Sequence, residues 1–396
     1  MPQRESKLSI YIHIPFCAVR CGYCAFNTYT DLAHLMPEYI DALCSELASA
    51  AQKVRDKRVH TVYFGGGTPS LLSPPQVEQI FGQVSRLFHI NDDAEISLEA
   101  NPDDLNEAYL RDLRNIGFNR LSIGMQSANP AILRMFDRQH DLAAVDAAVS
   151  SARLAAFDNI NLDVIFGSPG ESLADWKETV TAVLRLSPEH ISMYGLELKG
   201  GTRLRLKVDA GELPRPDDDV FADMYEFASA SLAPAGYDQY EISNWCRPGK
   251  ECRHNLQYWR NLDYIGVGAG AHGFAEGRRY STIAAPERYI AALSNGGDGR
   301  DAASLTPAVA KSTRVTEADD LYETIMMGLR LTQEGIDRAR FKQRFGRDLV
   351  EMFPDATHKL CAAGLLDVTA GHVRLSESGR LLSNFVIRQF VSRIKI

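Results

Sequence analysis

The chain has 396 residues, 45% of them hydrophobic and 24% charged, which fits a globular protein with a sizeable core rather than a disordered or fibrous chain. The formal net charge of −8 argues against a protein whose whole surface binds nucleic acid, and we expect no nucleic-acid partner. Seven cysteines in a chain of this length do not suggest a disulfide scaffold, so they favour a reducing compartment.

Predicted strands and helices alternate through the first half of the chain. The strands are predicted at residues 8–15, 60–64, 94–100, 121–125, 160–166 and 190–198. Apolar spacing predicts helices at 37–55, 75–88, 106–116, 173–186 and, in pieces, between 130 and 157. This alternation indicates right-handed βαβ units on a parallel sheet, and six strands are too few for a closed eight-fold barrel. We therefore predict an α/β fold built as an open, partial (β/α)6-type barrel.

The pattern changes towards the C-terminus. A helix at 217–232 and a short strand at 240–245 precede a segment rich in Gly, Asp, Ala and Ser, which we interpret as a linker. Beyond it, helices are predicted at 319–331, 336–345, 350–363 and 376–394, and a hairpin at 365–369 and 372–375. Helices that surround a hairpin predict a winged-helix-like module. We therefore divide the chain into a barrel domain at 1–292, a linker at 293–306 and a C-terminal domain at 307–396.

The C-terminal domain carries 14 Lys and Arg residues against 11 Asp and Glu residues, counted over 307–396. A winged helix can bind DNA, but a difference of +3 without a basic stripe is weak support for that role. We therefore expect this domain to cap the barrel mouth or to offer a docking surface.

Three cysteines, Cys17, Cys21 and Cys24, lie within eight residues directly after the first predicted strand. A loop that leaves the C-terminal end of a strand is where α/β folds place their chemistry. Thiolates so close together suit an iron–sulfur cluster, and three of them would leave one iron open to another ligand. The alternatives are a zinc site or buried free thiols. Zinc is disfavoured because the C-x-x-x-C-x-x-C spacing lacks the second Cys-x-x-Cys pair of a closed zinc site.

Later strand ends carry residues suited to a polar, partly anionic small molecule. Glycines at 65–67 let the backbone approach a ligand closely, although an ordinary tight turn has the same composition. An acid in an apolar strand needs a cation or a donor, and an arginine can neutralise a carboxylate. Each residue alone could also be satisfied by its own backbone or by solvent, and their recurrence at successive strand ends favours a site. The candidates are Gly66, Gly67, Thr68, Glu99, Gln126, Arg138 and Asp163.

Five segments occur in an order that resembles the coproporphyrinogen-dehydrogenase-like branch of the radical S-adenosylmethionine (SAM) enzymes. They are residues 11–17, 65–69, 99–102, 126–127 and 166–170, and the resemblance covers nearly the whole chain. It implies that Cys17, Cys21 and Cys24 hold a [4Fe-4S] cluster whose open iron binds the amino and carboxylate groups of SAM. It also implies SAM contacts by Tyr11, Gly66, Gly67, Thr68, Glu99, Gln126, Arg138 and Asp163.

Two features distinguish between the dehydrogenases and the other members of that branch. The dehydrogenases that the chain resembles carry a further cysteine two residues after the third, where this sequence has Phe26, and also a longer N-terminal region. Residues 254–259, His-Asn-Leu-Gln-Tyr-Trp, instead resemble the H-N-x-x-Y-W signature of the heme chaperones in the branch. That resemblance makes His254 a candidate heme ligand. From the residue types alone, a structural His254 with Trp259 in the core is favoured.

The expected function is therefore that of a heme chaperone, which binds heme, passes it to an acceptor hemoprotein and carries the cluster and SAM. An oxygen-independent coproporphyrinogen III dehydrogenase, or another tetrapyrrole-modifying enzyme, is the alternative, so enzymatic activity stays open. An electron donor is an expected partner, while a homodimer and transient contact with a membrane surface are left open. The sequence has no signal-peptide core and no apolar run of about 18 residues, which predicts a cytoplasmic protein.

Overall fold

The computed structural model describes residues 7–294 and 304–391, and its largest element is a twelve-stranded sheet. In chain order its strands are β1 (Leu8–Ile14), β2 (Arg58–Gly66), β3 (His89–Ala100), β4 (Arg120–Gln126), β5 (Ile160–Phe166), β6 (His190–Gly195), β7 (Asp238–Glu241), β8 (Asn244–Cys246), β9 (Tyr264–Val267), β10 (His272–Ala275), β11 (Arg278–Thr282) and β12 (Val309–Arg314). Their order in space is β12-β11-β10-β9-β1-β2-β3-β4-β5-β6-β8-β7.

Strands β1 to β6 lie side by side in sequence order, and every neighbouring pair among them is parallel. The helices of this region are α1 (Met36–Lys53), α2 (Pro74–Leu87), α3 (Glu107–Ile116), α4 (Pro130–Met135), α5 (Leu142–Leu154), α6 (Leu173–Leu186), α7 (Arg203–Asp209), α8 (Asp218–Leu232), α9 (Arg253–Trp259) and α10 (Pro286–Ser294). β1 and β6 pair with further strands of the sheet and not with each other. The predicted open, partial α/β barrel is therefore confirmed.

Each parallel strand separates an apolar face from a polar one, because successive side chains point to opposite sides of a strand. In β4, Leu121, Ile123 and Met125 are fully buried in the main core, where helices cover the sheet. The alternate residues Ser122 and Gly124 face the inside of the barrel and line a cavity there. The outer face therefore stabilises the fold, and the inner face is left for polar groups.

The sheet continues at both edges with short strands, most of which the sequence did not predict. On one side β6 pairs with β8 and β8 with β7, both antiparallel, where a single strand was expected. On the other side β9 is parallel to β1, and β10, β11 and β12 follow as antiparallel strands. These edge strands are only three to six residues long, too short to show a clear period of two.

The C-terminal part has a three-stranded sheet and a core of its own. Its elements are α11 (Glu317–Gly328), β13 (Ile336–Asp337), α12 (Arg338–Phe345), α13 (Leu349–Met352), α14 (Pro354–Ala362), β14 (Leu366–Val368), β15 (His372–Leu375), α15 (Glu377–Leu381) and α16 (Ser383–Val391). The predicted winged-helix-like arrangement is confirmed. The predicted helix at 350–363 is interrupted before Pro354, since proline has no N–H to continue a helix.

The domain boundaries stay a prediction. Residues 295–303 of the expected linker lie outside the described residues. Shortly after them, β12 pairs with β11, so residues assigned to the C-terminal domain complete the edge of the large sheet.

Candidate functional site

A cavity of about 400 Å³ lies inside the barrel, towards the C-terminal ends of the parallel strands. Cys17, Cys21 and Cys24 all line it, are partly exposed and form no disulfide. Their loop is fixed by backbone hydrogen bonds, in which Cys17 N–H donates to the Tyr29 carbonyl at 3.0 Å and Gly22 N–H to another loop at 3.1 Å. The structure thus places the three thiols together at one rim.

Burial raises the pKa of two of these thiols. Burial raises the pKa of Cys17 to about 11 and also raises the pKa of Cys24, so both thiols hold their protons until a metal replaces them. Within the described ranges, no three His, Cys, Asp or Glu side chains are arranged to hold one metal ion. A [4Fe-4S] cluster takes its thiolates at separate irons, so its ligands need not converge on one point.

The glycine run after β2 packs directly against the cysteine loop. Gly67 N–H donates to the Ile14 carbonyl, and Thr68 N–H donates to the Phe16 carbonyl, both at 2.8 Å. A Cβ atom on Gly67 would lie 2.6 Å from the Phe16 carbonyl oxygen and 3.0 Å from the Cys17 sulfur. The absence of a side chain at Gly67 therefore lets this loop and the cysteine loop share one edge of the cavity.

Two side chains donate to the thiols. The Thr68 hydroxyl donates to the Cys17 sulfur at 3.4 Å, and Arg138 Nη1 donates to the Cys21 sulfur at 3.5 Å. Arg138 is held in place by the Gly124 carbonyl, which accepts from Nη2 at 2.8 Å. Both donors stabilise the negative charge that cluster ligands carry.

Gln126 ends β4 at the cavity with a φ of 64°, a left-handed conformation that is uncommon for a residue other than glycine. The β4–β5 register also shifts just before it. Backbone strain of this kind concentrates at functional sites. The end of β4 therefore departs from regular sheet geometry where it meets the cavity.

Two carboxylates face the cavity, one from β3 and one from β5. Glu99 accepts from the Tyr63 hydroxyl at 2.9 Å and from Gly66 N–H at 3.0 Å. Burial, helped by the nearby charge of Asp163, raises the pKa of Glu99 to about 7. Asp163 accepts from Ser122 at 2.8 Å, and burial raises the pKa of this carboxyl as well. A positively charged or hydroxyl-bearing ligand would stabilise the charged form of both carboxylates.

Sequence reasoning missed Arg120, a buried cation of the cavity. It begins β4, is 1% exposed and lines the cavity. No described residue accepts a hydrogen bond from its Nε or Nη1 atoms. Buried donors without acceptors are costly, so they are available to a polar ligand. The predicted strand at 121–125 excluded Arg120, although Arg120 lies on the same strand face as Ser122, two residues later.

Two predicted site residues lie elsewhere. Tyr11 does not line the cavity; its hydroxyl bonds the His13 ring at 3.0 Å beside a separate cleft. His254 is 1% exposed, and both ring nitrogens are engaged: Nδ1 with the Thr61 hydroxyl at 2.7 Å and Nε2 with the Tyr258 hydroxyl at 2.8 Å. In this arrangement no ring nitrogen of His254 is free for iron. Its role as a heme ligand stays a prediction that requires these bonds to break.

The helix α9, which carries the H-N-x-x-Y-W residues, closes the opposite end of the barrel. The Glu95 carboxylate of β3 accepts from the first N–H groups of this helix, Arg253 at 2.9 Å and His254 at 3.1 Å. Gln257 bonds the His60 ring at 3.0 Å and donates to the Lys7 carbonyl at 2.7 Å. Burial lowers the pKa of His254 to about 3, so its imidazole is neutral at physiological pH.

The lining of the cavity suits SAM as well as the cluster. SAM has a carboxylate, an ammonium, a sulfonium and ribose hydroxyls, and therefore needs donors and acceptors within one pocket. Arg120 and Arg138 supply donors, Glu99 and Asp163 supply acceptors, and Arg138 Nε also lacks an acceptor among the described residues. All seven strand-end candidates and the three cysteines line this cavity.

Comparison with known families agrees with this arrangement. The model of the radical SAM superfamily matches residues 11–183, and the model of the HemN C-terminal domain matches residues 315–382. The chain is 39% identical to the heme chaperone HemW of Mycobacterium tuberculosis over 98% of its own length and 95% of the relative's. It is 35% identical to HemW of Bacillus subtilis, covering 98% of this chain and all of the relative. The chain belongs to the HemW family.

A solved structure has the same fold as this chain. The structure of coproporphyrinogen III oxidase (HemN) from Escherichia coli superposes with a TM-score of 0.83, covering 97% of this chain and 90% of that one at 24% identity. This likeness concerns the fold alone. None of the helices within residues 7–294 and 304–391 has the length and apolar character needed to span a bilayer.

Proposed function

We propose that this protein is a heme chaperone, which binds heme and transfers it to an acceptor hemoprotein. The observation that carries the proposal is the likeness to HemW relatives over 98% of the chain. The cavity supports it, because the radical SAM machinery of that family has counterparts here at the rim of one pocket.

In this proposal Cys17, Cys21 and Cys24 hold a [4Fe-4S] cluster. When bound, the cluster supplies an open iron for the amino and carboxylate groups of SAM. Gly66 and Gly67 bring backbone close to the cavity, and the remaining contacts to SAM come from the other candidate side chains. These are Thr68, Glu99, Gln126, Arg138 and Asp163. Tyr11 lines the neighbouring cleft instead, so its contact with SAM would require its side chain to move.

The alternative is a coproporphyrinogen III dehydrogenase or another tetrapyrrole-modifying enzyme. Phe26 occupies the position where the resembling dehydrogenases have their additional cysteine, and its side chain is 68% exposed at the cavity mouth. The apolar ring of Phe26 cannot take over the chemical role of a cysteine thiol at that position. No observation on the described residues favours the alternative over the chaperone.

The remaining partners belong to the same proposal. An electron donor would reduce the cluster, the compartment is the cytoplasm, and no nucleic acid is involved. Contact with a membrane surface and a homodimer are compatible with the role, and neither is required by it.

Heme titration and product analysis test the proposal. The full chain is reconstituted anaerobically with iron and sulfide, titrated with hemin, and then mixed with apomyoglobin as a probe acceptor. We expect about one heme per chain and its transfer to the acceptor, both followed by the Soret band. In parallel, incubation with coproporphyrinogen III, SAM and a reductant should leave the substrate unchanged. A divinyl product, or no binding of heme, would contradict the chaperone.

A further inference from the structure

A second cleft, of about 530 Å³, adjoins the cavity on the other side of the cysteine loop. Ala25 and Phe26 line both, so the two sites are neighbours. Its walls come from the cysteine loop, helix α9, strands β9 and β10 and, through Met327, helix α11 of the C-terminal part. A volume of this size is within the range of small-molecule and cofactor sites.

Three tyrosines and one phenylalanine lie in the walls of this cleft. Phe26 is 68% exposed, the largest exposed fraction among the big apolar side chains in the described ranges. Tyr258 and Tyr264 meet edge to face, with ring centroids 4.6 Å apart, and Tyr11 lies beside them. An exposed phenyl ring next to a wall of tyrosines is the kind of surface that a flat macrocycle covers.

One histidine in the cleft has a free ring. His272 is the exposed first residue of β10, and the three residues after it are buried. No hydrogen bond to its imidazole is found within residues 7–294 and 304–391. Nearby His13 differs, because its Nδ1 bonds Tyr11 and its Nε2 bonds the Asn27 carbonyl, both at 3.0 Å. Only His272 therefore offers iron an uncommitted nitrogen in this lining.

The backbone under His272 is held firmly. β10 pairs with β11, which places His272 opposite Ser281. Gly266 of β9 approaches so closely that a Cβ atom there would lie 1.8 Å from the His272 carbonyl oxygen. A ligand that projects from such a braced strand keeps its position when a cofactor enters or leaves.

We propose that heme occupies this cleft, with the His272 imidazole as an iron ligand and Phe26, Tyr258 and Tyr264 against the macrocycle. The inference rests on the proposed function, since it names the site at which that heme is held. It assigns the H-N-x-x-Y-W helix a different part: Tyr258 forms a wall of the cleft, and His254 holds the Tyr258 hydroxyl from behind.

The test compares three histidine variants of the full chain after anaerobic reconstitution. The wild type with hemin should give the absorption spectrum of a histidine-ligated heme. His272→Ala should shift the Soret band and weaken binding by about tenfold or more, and added imidazole should restore the spectrum. His34→Ala, which removes an exposed histidine that does not line the cleft, is the matched control and should change neither the Soret band nor the affinity.

His254→Ala separates the two candidate ligands. It should leave the ligation spectrum of the heme unchanged, because its ring faces the barrel interior. Iron content of each variant reports on folding independently of heme. A wild type that binds heme and a His272→Ala spectrum identical to it would overturn the inference while leaving the chaperone proposal intact. A wild type that binds no heme would instead overturn the chaperone proposal itself.

A second pair of variants tests the aromatic wall. Phe26→Ser should weaken hemin binding several-fold without moving the Soret band of the bound form, since it removes contact area and not the ligand. Leu206→Ser, at an exposed leucine on α7 outside the cleft, is the matched control and should bind hemin as the wild type does. Equal affinities for both variants would place the heme elsewhere.

Discussion

The two ends of the barrel are made by the same strands, yet the cysteine loop and His254 differ in how fully their polar atoms are hydrogen-bonded. At the cysteine end, three thiols are partly exposed and an arginine nitrogen, Arg138 Nε, has no acceptor among the described residues. At the α9 end, both nitrogens of His254 are bonded and the Glu95 carboxylate receives two helix N–H groups. One end is organised to receive a ligand, and the other is organised to close the barrel.

This difference changes the interpretation of the H-N-x-x-Y-W residues. Histidine beside tyrosine and tryptophan suits heme chemistry, but the same residue types also suit a plug whose polar atoms satisfy one another. The contacts favour a structural role for His254, whereas Asn255 lines the main cavity and Tyr258 lines the second cleft. Four variants test the contrast between the two ends, in order of decreasing effect.

The largest effect is expected at the cysteine end from Cys21→Ala. Losing one of three ligands should abolish the cluster, so iron content after anaerobic reconstitution should fall from about four per chain to near zero. Cys17→Ala and Cys24→Ala should do the same. Cys361→Ala, at an exposed cysteine on α14, is the control and should keep the iron. Full iron content in Cys21→Ala would remove the cysteine end from the site.

Gly67→Ala tests the contact between the glycine loop and the cysteine loop. The added methyl group would lie 2.6 Å and 2.8 Å from two carbonyl oxygens, so one loop has to move. We expect most of the cluster to be lost, measured as iron content and charge-transfer absorption. Gly82→Ala is the matched control: nothing lies within 4 Å of its Cβ position in α2, and it should stabilise the helix by about 0.5–1 kcal/mol. An intact cluster in Gly67→Ala would mean that the loops are not coupled.

His254→Ala tests the closed end. It removes a buried ring and leaves the Tyr258 hydroxyl without that partner, so the free energy of unfolding should fall by about 2–4 kcal/mol. Urea unfolding of the protein without cofactors measures this, with His34→Ala as the exposed control. A variant as stable as the wild type would show that the plug contributes nothing to folding.

The smallest effect concerns the protonation of Glu99. Its pKa is raised to about 7 by burial and by Asp163, with Arg120 opposing the shift, so the carboxylate becomes largely charged only as the pH rises from 6 to 8. SAM carries positive charge, and its affinity should therefore increase over that range, by up to about tenfold. Glu99→Gln should bind more weakly and flatten the pH dependence. The SAM affinity of both proteins is measured by calorimetry as a function of pH. An equal pH dependence in the two proteins would exclude Glu99 as its source.

The sequence by itself determined the open parallel barrel, because that fold depends on local regularities, and it indicated the family through the resemblance of several short segments in one order. Apolar residues recur every second position in strands and every three or four in helices, and Cys17, Cys21 and Cys24 lie within one short loop. Functional residues of α/β folds gather at the C-terminal ends of the parallel strands, and this also predicted which distant residues would meet. Gly66, Glu99 and Asp163 line one cavity although they are far apart in the chain. That they contact SAM is still a prediction.

Only the tertiary structure decided which histidine is free. The sequence does not show whether the ring of a histidine is hydrogen-bonded. One partner of His254 lies about 190 positions away in the chain, and the other belongs to its own helix. Arg120 and His272 were overlooked for the same reason. One lies at the start of a strand and the other on a short edge strand, where no local pattern marks a ligand. Among the described residues, no acceptor or donor is placed beside their open nitrogens, which is a property of packing and not of sequence.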